Sequence, residues 1–289
     1  RILCLYGVWI NKETVTGNGK GMGNRMITGV LTATAIVGGV GLFIGLFLGV
    51  AAIKFKVEVD EKEEAVLNAL PGNNCGGCGF PGCSGLAAAI AKGEAPVNAC
   101  PVGGEPVGKV IAGIMGVEAG ESVRKVAFVK CQGDCEKTKA DYEYHGIEDC
   151  RMLAFVPNGG PKSCNYGCLG YGSCVSACPF DAIHVVNGVA VVDKEACKAC
   201  GKCVEACPKH LIELIPYDAP YAVACSSKDK GPVTMKACTA GCIGCQLCKK
   251  NCVQDAVTVT DFNATIEYEK CVGCGVCMEK CPRKSITTH

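Results

Sequence analysis

Cysteine spacing constrains this chain more than any other feature of its sequence. Two blocks, at residues 197–208 and 271–282, have the form C-x2-C-x2-C-x3-C-P. Three thiolates at this spacing can bind three irons of one cubane, and the fourth, which is displaced and followed by proline, reaches a second cubane. A zinc site needs only four ligands in two separated pairs. The spacing therefore predicts 4Fe–4S clusters and an electron-transfer protein, with a zinc-binding structural scaffold as an alternative.

The cysteine count also indicates the redox compartment. The chain has 26 cysteines among 289 residues, whereas disulfide frameworks belong to short secreted chains. Clustered cysteines here indicate metal-bound thiolates in a reducing compartment. Aromatic residues make up only 6% of the chain, so we expect the clusters to organise the small domains. A net charge of +1 without a long basic run argues against a nucleic-acid partner.

An uncharged apolar segment covers residues 27–53. At about 1.5 Å per residue it is long enough to cross a bilayer, and it predicts a transmembrane helix over residues 25–54, after an undefined segment over residues 1–24. A signal peptide is the competing interpretation, but the segment is too long for one and no clear cleavage site follows it. Gly41, Gly45 and Gly49 would share one helix face, which either admits a partner helix or reflects the tolerance of membrane helices for glycine.

The orientation of this helix is decided by the cluster domains. Arg25 precedes the apolar segment, and Lys54 and Lys56 follow it, so positive charge at its ends does not set the orientation. Iron–sulfur clusters need the reducing side of the membrane. We therefore expect a single-pass protein of the cell inner (cytoplasmic) membrane with its cluster domains on the cytoplasmic side.

A small 4Fe–4S domain is predicted over residues 55–105. A capping box begins a helical pattern over residues 60–70, and Pro71 ends it. The glycines that follow permit positive φ angles and bring backbone N–H groups toward sulfur. One 4Fe–4S cluster is predicted here, with structural zinc as the alternative. Its four ligands are Cys75, Cys78, Cys83 and Cys100.

Two tandem ferredoxin-like modules are predicted after a connector over residues 106–160: the first over residues 161–217 and the second over residues 218–289. Asn187-Gly188 between two apolar runs indicates a β-hairpin, and alternating residues around the Asp-Phe-Asn turn at residues 261–263 predict another. Each hairpin lies between two cysteine motifs, as in a two-cluster ferredoxin. The expected fold class is therefore α+β, with an N-terminal transmembrane helix, a small 4Fe–4S domain and two tandem two-cluster ferredoxin-like modules.

The two modules resemble copies of one unit. The cysteines of residues 164–178 match those of residues 238–252, and Val129-Lys130-Cys131 matches Val223-Ala224-Cys225. Crossed ligation, in which the fourth cysteine of each motif joins the other cluster of its module, predicts three complete sets. These sets are Cys242, Cys245, Cys248 and Cys281; Cys252, Cys271, Cys274 and Cys277; and Cys178, Cys197, Cys200 and Cys203.

The remaining set of the first module lacks one ligand. Tyr171 stands where the second copy has Cys245, which leaves only Cys168, Cys174 and Cys207. We expect Cys164 to be the fourth ligand, and a three-iron cluster is the alternative. At least five 4Fe–4S clusters are therefore predicted, with the cysteines as the iron ligands.

Six cysteines remain outside these sets. They are either buried free thiols, which behave as small apolar residues, or contributors to a sixth cluster. Such a cluster would be built from Cys131, Cys135, Cys150 and a neighbour. The six are Cys4, Cys131, Cys135, Cys150, Cys225 and Cys238.

The segment LPGNNCGGCGFPGC at residues 70–83, with Cys100-Pro101 downstream and the apolar segment upstream, resembles the B subunit of the Rnf complex. That family is a membrane-bound ferredoxin:NAD oxidoreductase coupled to sodium or proton translocation. The resemblance extends from about residue 27 to the end of the chain, and two ferredoxin modules are typical of the longer, anaerobe-type members. It implies a subunit that accepts electrons from soluble reduced ferredoxin and relays them to the other membrane and peripheral subunits.

No catalytic residues are expected on this chain, and so no complete active site. The glycine-rich segment at residues 17–23 lacks the Gly-x-Gly-x-x-Gly spacing of a dinucleotide-binding loop, and none of the four histidines forms a catalytic pair in the sequence. The resemblance therefore implies that nicotinamide and flavin bind partner subunits. A membrane-anchored polyferredoxin of a hydrogenase or another oxidoreductase is the alternative function.

Overall fold

The computed structural model of the protein describes residues 22–54, 60–120 and 123–289. The chain divides into two compact units, one that ends at Val59 and one that runs from Asp60 to His289. Cys4 and most of the undefined segment predicted over residues 1–24 lie outside the described residues.

The first unit contains helix α1, Met22–Lys54. It begins slightly before the helix predicted over residues 25–54 and ends at the predicted residue. Within it, Thr28–Ala51 is long and apolar enough to cross a membrane. Large apolar side chains are exposed along this helix, Val37 by 72% and Leu42 by 78%, so packing within the protein does not account for them. Helix α1 is therefore a candidate membrane span.

Three helices begin the second unit: α2 (Glu61–Ala69), α3 (Cys83–Ala91) and α4 (Gly104–Met115). Asp60 caps α2, because its carboxylate accepts a hydrogen bond from the N–H of Lys62 at 3.0 Å. Val66 of α2, Leu86 of α3 and Ile111 of α4 pack into one buried core. The helix predicted over residues 60–70 is thereby confirmed.

Eight short strands in the described part of the chain form four antiparallel two-stranded sheets. In sequence order they are β1 (Lys125–Val129), β2 (Ile183–Val186), β3 (Val189–Val192), β4 (Ile212–Pro216), β5 (Tyr221–Val223), β6 (Val257–Thr260), β7 (Asn263–Ile266) and β8 (Ile286–Thr288). Strand β1 pairs with β4 and β2 with β3, while β5 pairs with β8 and β6 with β7. The same order, with an outer pair that encloses a hairpin, therefore occurs twice along residues 123–289.

Both predicted hairpins are confirmed. Asn187 and Gly188 have φ angles of 47° and 77°, which is the type I′ geometry that suits a two-residue hairpin. In the second hairpin Asp261 and Phe262 have φ angles of 47° and 60°. This turn is therefore one residue shorter than predicted, because Asn263 already belongs to β7.

The segment predicted as a connector, residues 106–160, is largely folded. Its strand β1 pairs with β4, and Val126 and its partner Ile215 are both buried. It also contains most of α4 and two 3-10 helices, Met152–Phe155 and Pro157–Gly159. Apolar residues of β1 face the interior, so this strand belongs to the core that surrounds the first hairpin.

Five short helices complete the unit: α5 (Ser173–Ser176), α6 (Lys202–Ala206), α7 (Gly231–Ala237), α8 (Leu247–Lys250) and α9 (Val276–Glu279). All but α7 place one cysteine of a motif in the interior, and these buried residues are Cys174, Cys203, Cys248 and Cys277. The residue before each of these four helices is left-handed, and it is glycine in three cases. The backbone therefore turns sharply between successive cysteines of one motif.

Candidate iron–sulfur centres

The 25 cysteines in the described part of the chain are all free thiols. Five cavities, each partly open to solvent, are lined by four cysteines apiece. A zinc ion would draw its sulfurs to about 2.3 Å from one centre. Among the described residues, no three or more His, Cys, Asp or Glu converge in this way. The cysteines therefore surround spaces that suit a larger group than a single ion.

Site 1 is formed by Cys75 and Cys78 before α3, by Cys83 at the first position of α3 and by Cys100 after it. The Sγ of Cys100 accepts a hydrogen bond from the N–H of Gly103 at 3.3 Å. Burial raises the pKa of the Cys100 thiol, and the nearby Cys83 and Cys75 raise it further. Asn74 fixes the preceding turn, because its side-chain oxygen accepts a hydrogen bond from the N–H of Cys83 at 2.8 Å. The structure thus brings the predicted ligands of the first domain together.

Three further sites contain the sets that crossed ligation predicts, and each set lines one cavity. Site 2 is Cys178, Cys197, Cys200 and Cys203; site 4 is Cys242, Cys245, Cys248 and Cys281; site 5 is Cys252, Cys271, Cys274 and Cys277. Backbone N–H groups point at the sulfurs: Ala127 of β1 donates to Cys197 at 3.4 Å. Ser285 likewise donates to Cys281 at 3.3 Å. Hydrogen bonds of this kind stabilise and tune cluster thiolates.

Site 3 differs from the prediction in one residue. Cys168, Cys174 and Cys207 line a cavity with Cys150, whereas Cys164 lines a different cavity. Cys150 is held in place by a hydrogen bond of 2.8 Å from its N–H to the Oγ of Ser173, the first residue of α5. The structure therefore does not bring Cys164 to this site, and Cys150 occupies the fourth position.

A difference in length between the two copies explains this exchange. Cys164 comes 33 positions after Cys131 in the first copy, whereas Cys238 comes only 13 positions after Cys225 in the second. The longer segment of the first copy carries Cys150. Tyr171, which replaces the matching cysteine, packs edge-on against Tyr144 of the same segment, with ring centroids 5.6 Å apart. This length difference was the sequence signal that could have identified Cys150.

The cysteines outside sites 1 to 5 also have defined positions. Cys164 shares its cavity with three other thiols, and the four are Cys131, Cys164, Cys225 and Cys238. Cys135 is exposed and lines none of these five cavities. The sixth group suggested by the sequence, with Cys131, Cys135 and Cys150 together, is therefore not assembled. The described cysteines other than Cys135 fall into six groups of four.

Burial has a chemical consequence for these thiols. It raises the pKa of Cys174 to about 12, and the pKa values of Cys203 and Cys248 to about 11. Without metal, these groups keep their protons at neutral pH. Cluster ligands must be thiolates, so each of these protons has to leave when iron binds.

Comparison with known protein families agrees with this arrangement. Residues 70–102 match a family described as an Fe-S cluster, and residues 160–208 and 241–286 each match a 4Fe-4S dicluster domain. The fold and these sites define a multi-cluster iron–sulfur protein of electron transfer.

Three curated relatives identify the family, and each of them is the B subunit of its complex. The chain is 48% identical over 246 residues to that of the Na(+)-translocating ferredoxin:NAD(+) oxidoreductase complex of Acetobacterium woodii, across 85% of this chain and 74% of the relative. It is 42% identical over 242 residues to that of the ion-translocating oxidoreductase complex of Methanosarcina acetivorans, across 83% and 91%. It is 40% identical over 230 residues to that of the proton-translocating ferredoxin:NAD(+) oxidoreductase complex of Clostridium ljungdahlii, across 79% and 81%. The chain therefore belongs to the family of B subunits of the ion-translocating oxidoreductase (Rnf) complexes, and the resemblance seen in its motifs is confirmed.

Proposed function

We propose that this protein is the electron-entry subunit of a membrane-bound ferredoxin:NAD oxidoreductase that translocates sodium ions or protons. The observation that carries the proposal is the grouping of twenty cysteines into five four-cysteine sites on one folded unit. The relatives from Acetobacterium woodii and Clostridium ljungdahlii are both named as ferredoxin:NAD oxidoreductase subunits, one for Na+ and one for protons. The proposal therefore covers either ion.

Sites 1 to 5 each supply four thiolates, which is the ligand set of a 4Fe–4S cluster. We assign one cluster to each site, with Cys150 instead of Cys164 in site 3. Bound there, the clusters would supply one-electron transfer. The protein's own residues hold the sulfurs around each cavity, donate backbone N–H groups to them and exclude most water with apolar side chains such as Ile183 and Val257.

The repeated strand order supports two equivalent ferredoxin-like modules in tandem. Sites 2 and 3 belong to the first module and sites 4 and 5 to the second. The first module begins near β1, because that strand pairs with β4 at the module's end, as β5 pairs with β8 in the second. The boundary at residue 161 expected from the sequence is accordingly moved to about residue 123.

Helix α1 would anchor this unit in the membrane. Its span Thr28–Ala51 has the length of a single crossing, and the relatives are subunits of ion-translocating complexes. The free thiols on the second unit suit a reducing compartment, which supports placing the cluster domains on the cytoplasmic side.

Soluble ferredoxin is the partner from which we expect electrons to enter. Cys245 of site 4 and Cys274 of site 5 are exposed, so these two sites lie close to the surface of the second module. Lysines at positions 249, 250, 280 and 284 are exposed as well, and they lie within three positions of Cys248 or Cys281 of site 4 in the sequence. A basic surface beside exposed ligands is complementary to a small acidic electron carrier.

The test of this function uses the purified membrane complex. Reduced ferredoxin should produce the EPR signals of reduced 4Fe–4S clusters on this subunit, and NAD should reoxidise them only when the partner subunits are present. Absence of ferredoxin-dependent reduction would contradict the proposal. Mass spectrometry of the intact complex separates it from the alternative, because hydrogenase subunits in place of the oxidoreductase subunits would identify a polyferredoxin. Zinc without iron in the purified protein would identify a structural scaffold.

A further inference from the structure

One four-cysteine cavity belongs to none of sites 1 to 5. It lies between the two halves of the repeat and is lined by four cysteines, as the cavities of sites 2 to 5 are. We call it the junction site. Its cysteines are Cys131 and Cys164 from the first half and Cys225 and Cys238 from the second.

These four residues form two equivalent pairs. Cys131 follows strand β1 and Cys225 follows strand β5, each two positions after the end of the strand. Each of the two sulfurs accepts two backbone hydrogen bonds, of 3.2–3.4 Å, from equivalent positions: Gly133 and Cys168 donate to Cys131, and Ser227 and Cys242 donate to Cys225. Chance burial of two unrelated thiols would not reproduce the same pair of donors.

The other pair is Cys164 and Cys238, and contacts between the halves bring Cys238 to the cavity. Cys238 forms an antiparallel bridge with Thr138 of the first half, next to a hydrogen bond of 2.8 Å from Thr239 N–H to Lys137 O. A Cβ built on Gly133 would lie 3.5 Å from the Sγ of Cys238 and 3.6 Å from the Sγ of Cys131. One sulfur from each half therefore lies close to the same point beside this glycine. Neither half could complete the set alone.

Charge around the cavity favours an anionic occupant. Lys162 is only 9% exposed, and its ammonium donates to the carbonyl oxygens of Gly133 at 2.9 Å and Gly188 at 2.7 Å. Arg283 donates to the carbonyl oxygen of Cys238 at 2.6 Å. Four thiolates around a cubane carry a net negative charge, and two cations beside the cavity offset the cost of burying it.

We propose that the junction site binds a sixth 4Fe–4S cluster. The class of cluster rests on the proposed function, whereas the four ligands follow from the structure. A disulfide is absent among the described cysteines, and the sulfurs do not converge as a single zinc ion requires. The four-cysteine lining of the cavity and its N–H donors to sulfur match those of the sites that the motifs define.

The position of the junction site gives this cluster a role. Cys168, whose N–H donates to Cys131, is a ligand of site 3, and Cys242, whose N–H donates to Cys225, is a ligand of site 4. The junction site is thus one hydrogen bond from a ligand of each module. It joins the two pairs of module sites into one continuous series.

The ligand assignment is tested with serine variants in the full membrane complex, purified anaerobically. Cys131→Ser and Cys225→Ser should each lose about four irons and four sulfides per chain and one EPR signal, because each cubane holds four of both. Cys135→Ser is the matched control, since Cys135 lies in the same loop as Cys131 but lines none of the five cavities. Unchanged iron in both ligand variants, with the control also unchanged, would overturn the proposal.

A measurement on the unaltered protein tests the proposal even if the serine variants do not fold. Anomalous scattering at the iron edge should show a peak in the cavity between the modules, in addition to those at sites 1 to 5. Peaks at sites 1 to 5 with none in this cavity would overturn the sixth cluster and leave the proposed function standing. A peak at the zinc edge alone would likewise overturn it. Absence of iron at all six positions would overturn the proposed function itself.

Discussion

At the scale of single residues, site 3 shows how a cysteine from a distant segment can take the place expected of another. Tyr171 occupies the place of the cysteine found in the second copy, and its ring packs against Tyr144. Cys150, from the longer segment of the first copy, lines the same cavity as Cys168, Cys174 and Cys207. The number of cysteines that line the cavity is the same in both copies, although their positions in the chain are not.

A rescue experiment tests this exchange. Cys150→Ser should lose about four irons per chain or leave a three-iron cluster, because site 3 would keep only three thiolates. Adding Tyr171→Cys to that variant should restore the cluster, since position 171 matches Cys245 of site 4. Iron content and EPR spectra of the anaerobically purified complex provide the measurement. A Cys150→Ser variant with the full iron content and an unchanged spectrum would show that Cys150 is not a ligand.

The same residues show what the sequence could predict. Cys197, Cys200 and Cys203 could be grouped from spacing alone, because cysteines within one short loop can face the same cavity. Cys150 could not, because its place depends on how a separate segment packs and on a hydrogen bond to Ser173. Spacing alone places Cys164 with the incomplete set of site 3, which is nearest in sequence. In the structure Cys164 instead lines the cavity to which a bridge between the modules brings Cys238.

At the scale of elements, each hairpin turn packs against a cysteine loop through a glycine. Gly244, between two cysteines of site 4, has a φ of 65°, and a Cβ there would lie 2.8 Å from the Cα of Phe262 in the β6–β7 turn. Gly170 stands in the equivalent place of the first module, where a Cβ would lie 2.6 Å from the carbonyl oxygen of Gly188. The turn and the ligand loop therefore position each other.

Alanine at position 244 should destabilise the protein by more than the cost of placing alanine in a left-handed conformation. Gly244→Ala adds a clash with the turn to the cost of the left-handed conformation, which is about 1–2 kcal/mol. Gly93→Ala is the control, because Gly93 has a φ of 75° but nothing within 4 Å of its added Cβ. We expect a lower thermal midpoint and faster loss of cluster absorbance for Gly244→Ala than for Gly93→Ala. Equal effects would show that the contact with Phe262 is unimportant.

The sequence predicted the hairpins well and the outer strands poorly. Asn187-Gly188 is a local signal, because type I′ turns demand residues that tolerate positive φ. Strand β1 has no such local partner, since it pairs with β4 across most of the first module. The connector expected over residues 106–160 therefore contains a strand that short-range patterns did not reveal.

At the scale of the whole molecule, the sites depend on contacts between domains. Gly77 of site 1 lies against the loop of site 2, because a Cβ on it would stand 2.6 Å from the carbonyl oxygen of Cys200 and 2.9 Å from its Cα. Its φ is not positive, so close approach is what requires glycine here. Backbone contact of this kind fixes the distance between the first domain and the first module.

Gly77→Ala should therefore separate sites 1 and 2 without removing a ligand. We expect unchanged iron content but slower reduction of site 1 by ferredoxin, together with about 1–3 kcal/mol of lost stability. Gly113→Ala on α4 is the control, because an added Cβ there meets nothing within 4 Å. Rapid-freeze EPR of the complex would follow the rate. Equal rates in the two variants would show that the close approach at Gly77 does not govern electron exchange.

The last prediction concerns the surface where ferredoxin docks. Lys249, Lys250, Lys280 and Lys284 are exposed on the second module, near sites 4 and 5. Two neighbouring cations differ from them: Lys270 pairs with Glu267 at 2.6 Å, and Arg283 donates to backbone oxygens of the junction site. The four lysines are therefore the residues we expect to attract an acidic ferredoxin.

If this surface steers the encounter, ferredoxin-dependent reduction should slow as salt is added. The reason is that the Debye screening length falls to about 8 Å at 0.15 M ionic strength, so charges farther apart no longer attract each other effectively. Reversing all four lysines to glutamate should lower the association rate by roughly tenfold or more, at an unchanged iron content. Lys62→Glu with Lys92→Glu is the control, because both lysines are exposed and belong to the first domain, which contributes no residue to sites 4 and 5. Stopped-flow absorbance gives the rate. An undiminished rate in the four-lysine variant would place docking elsewhere, with Lys198 and Lys202 beside site 2 as the next surface to reverse.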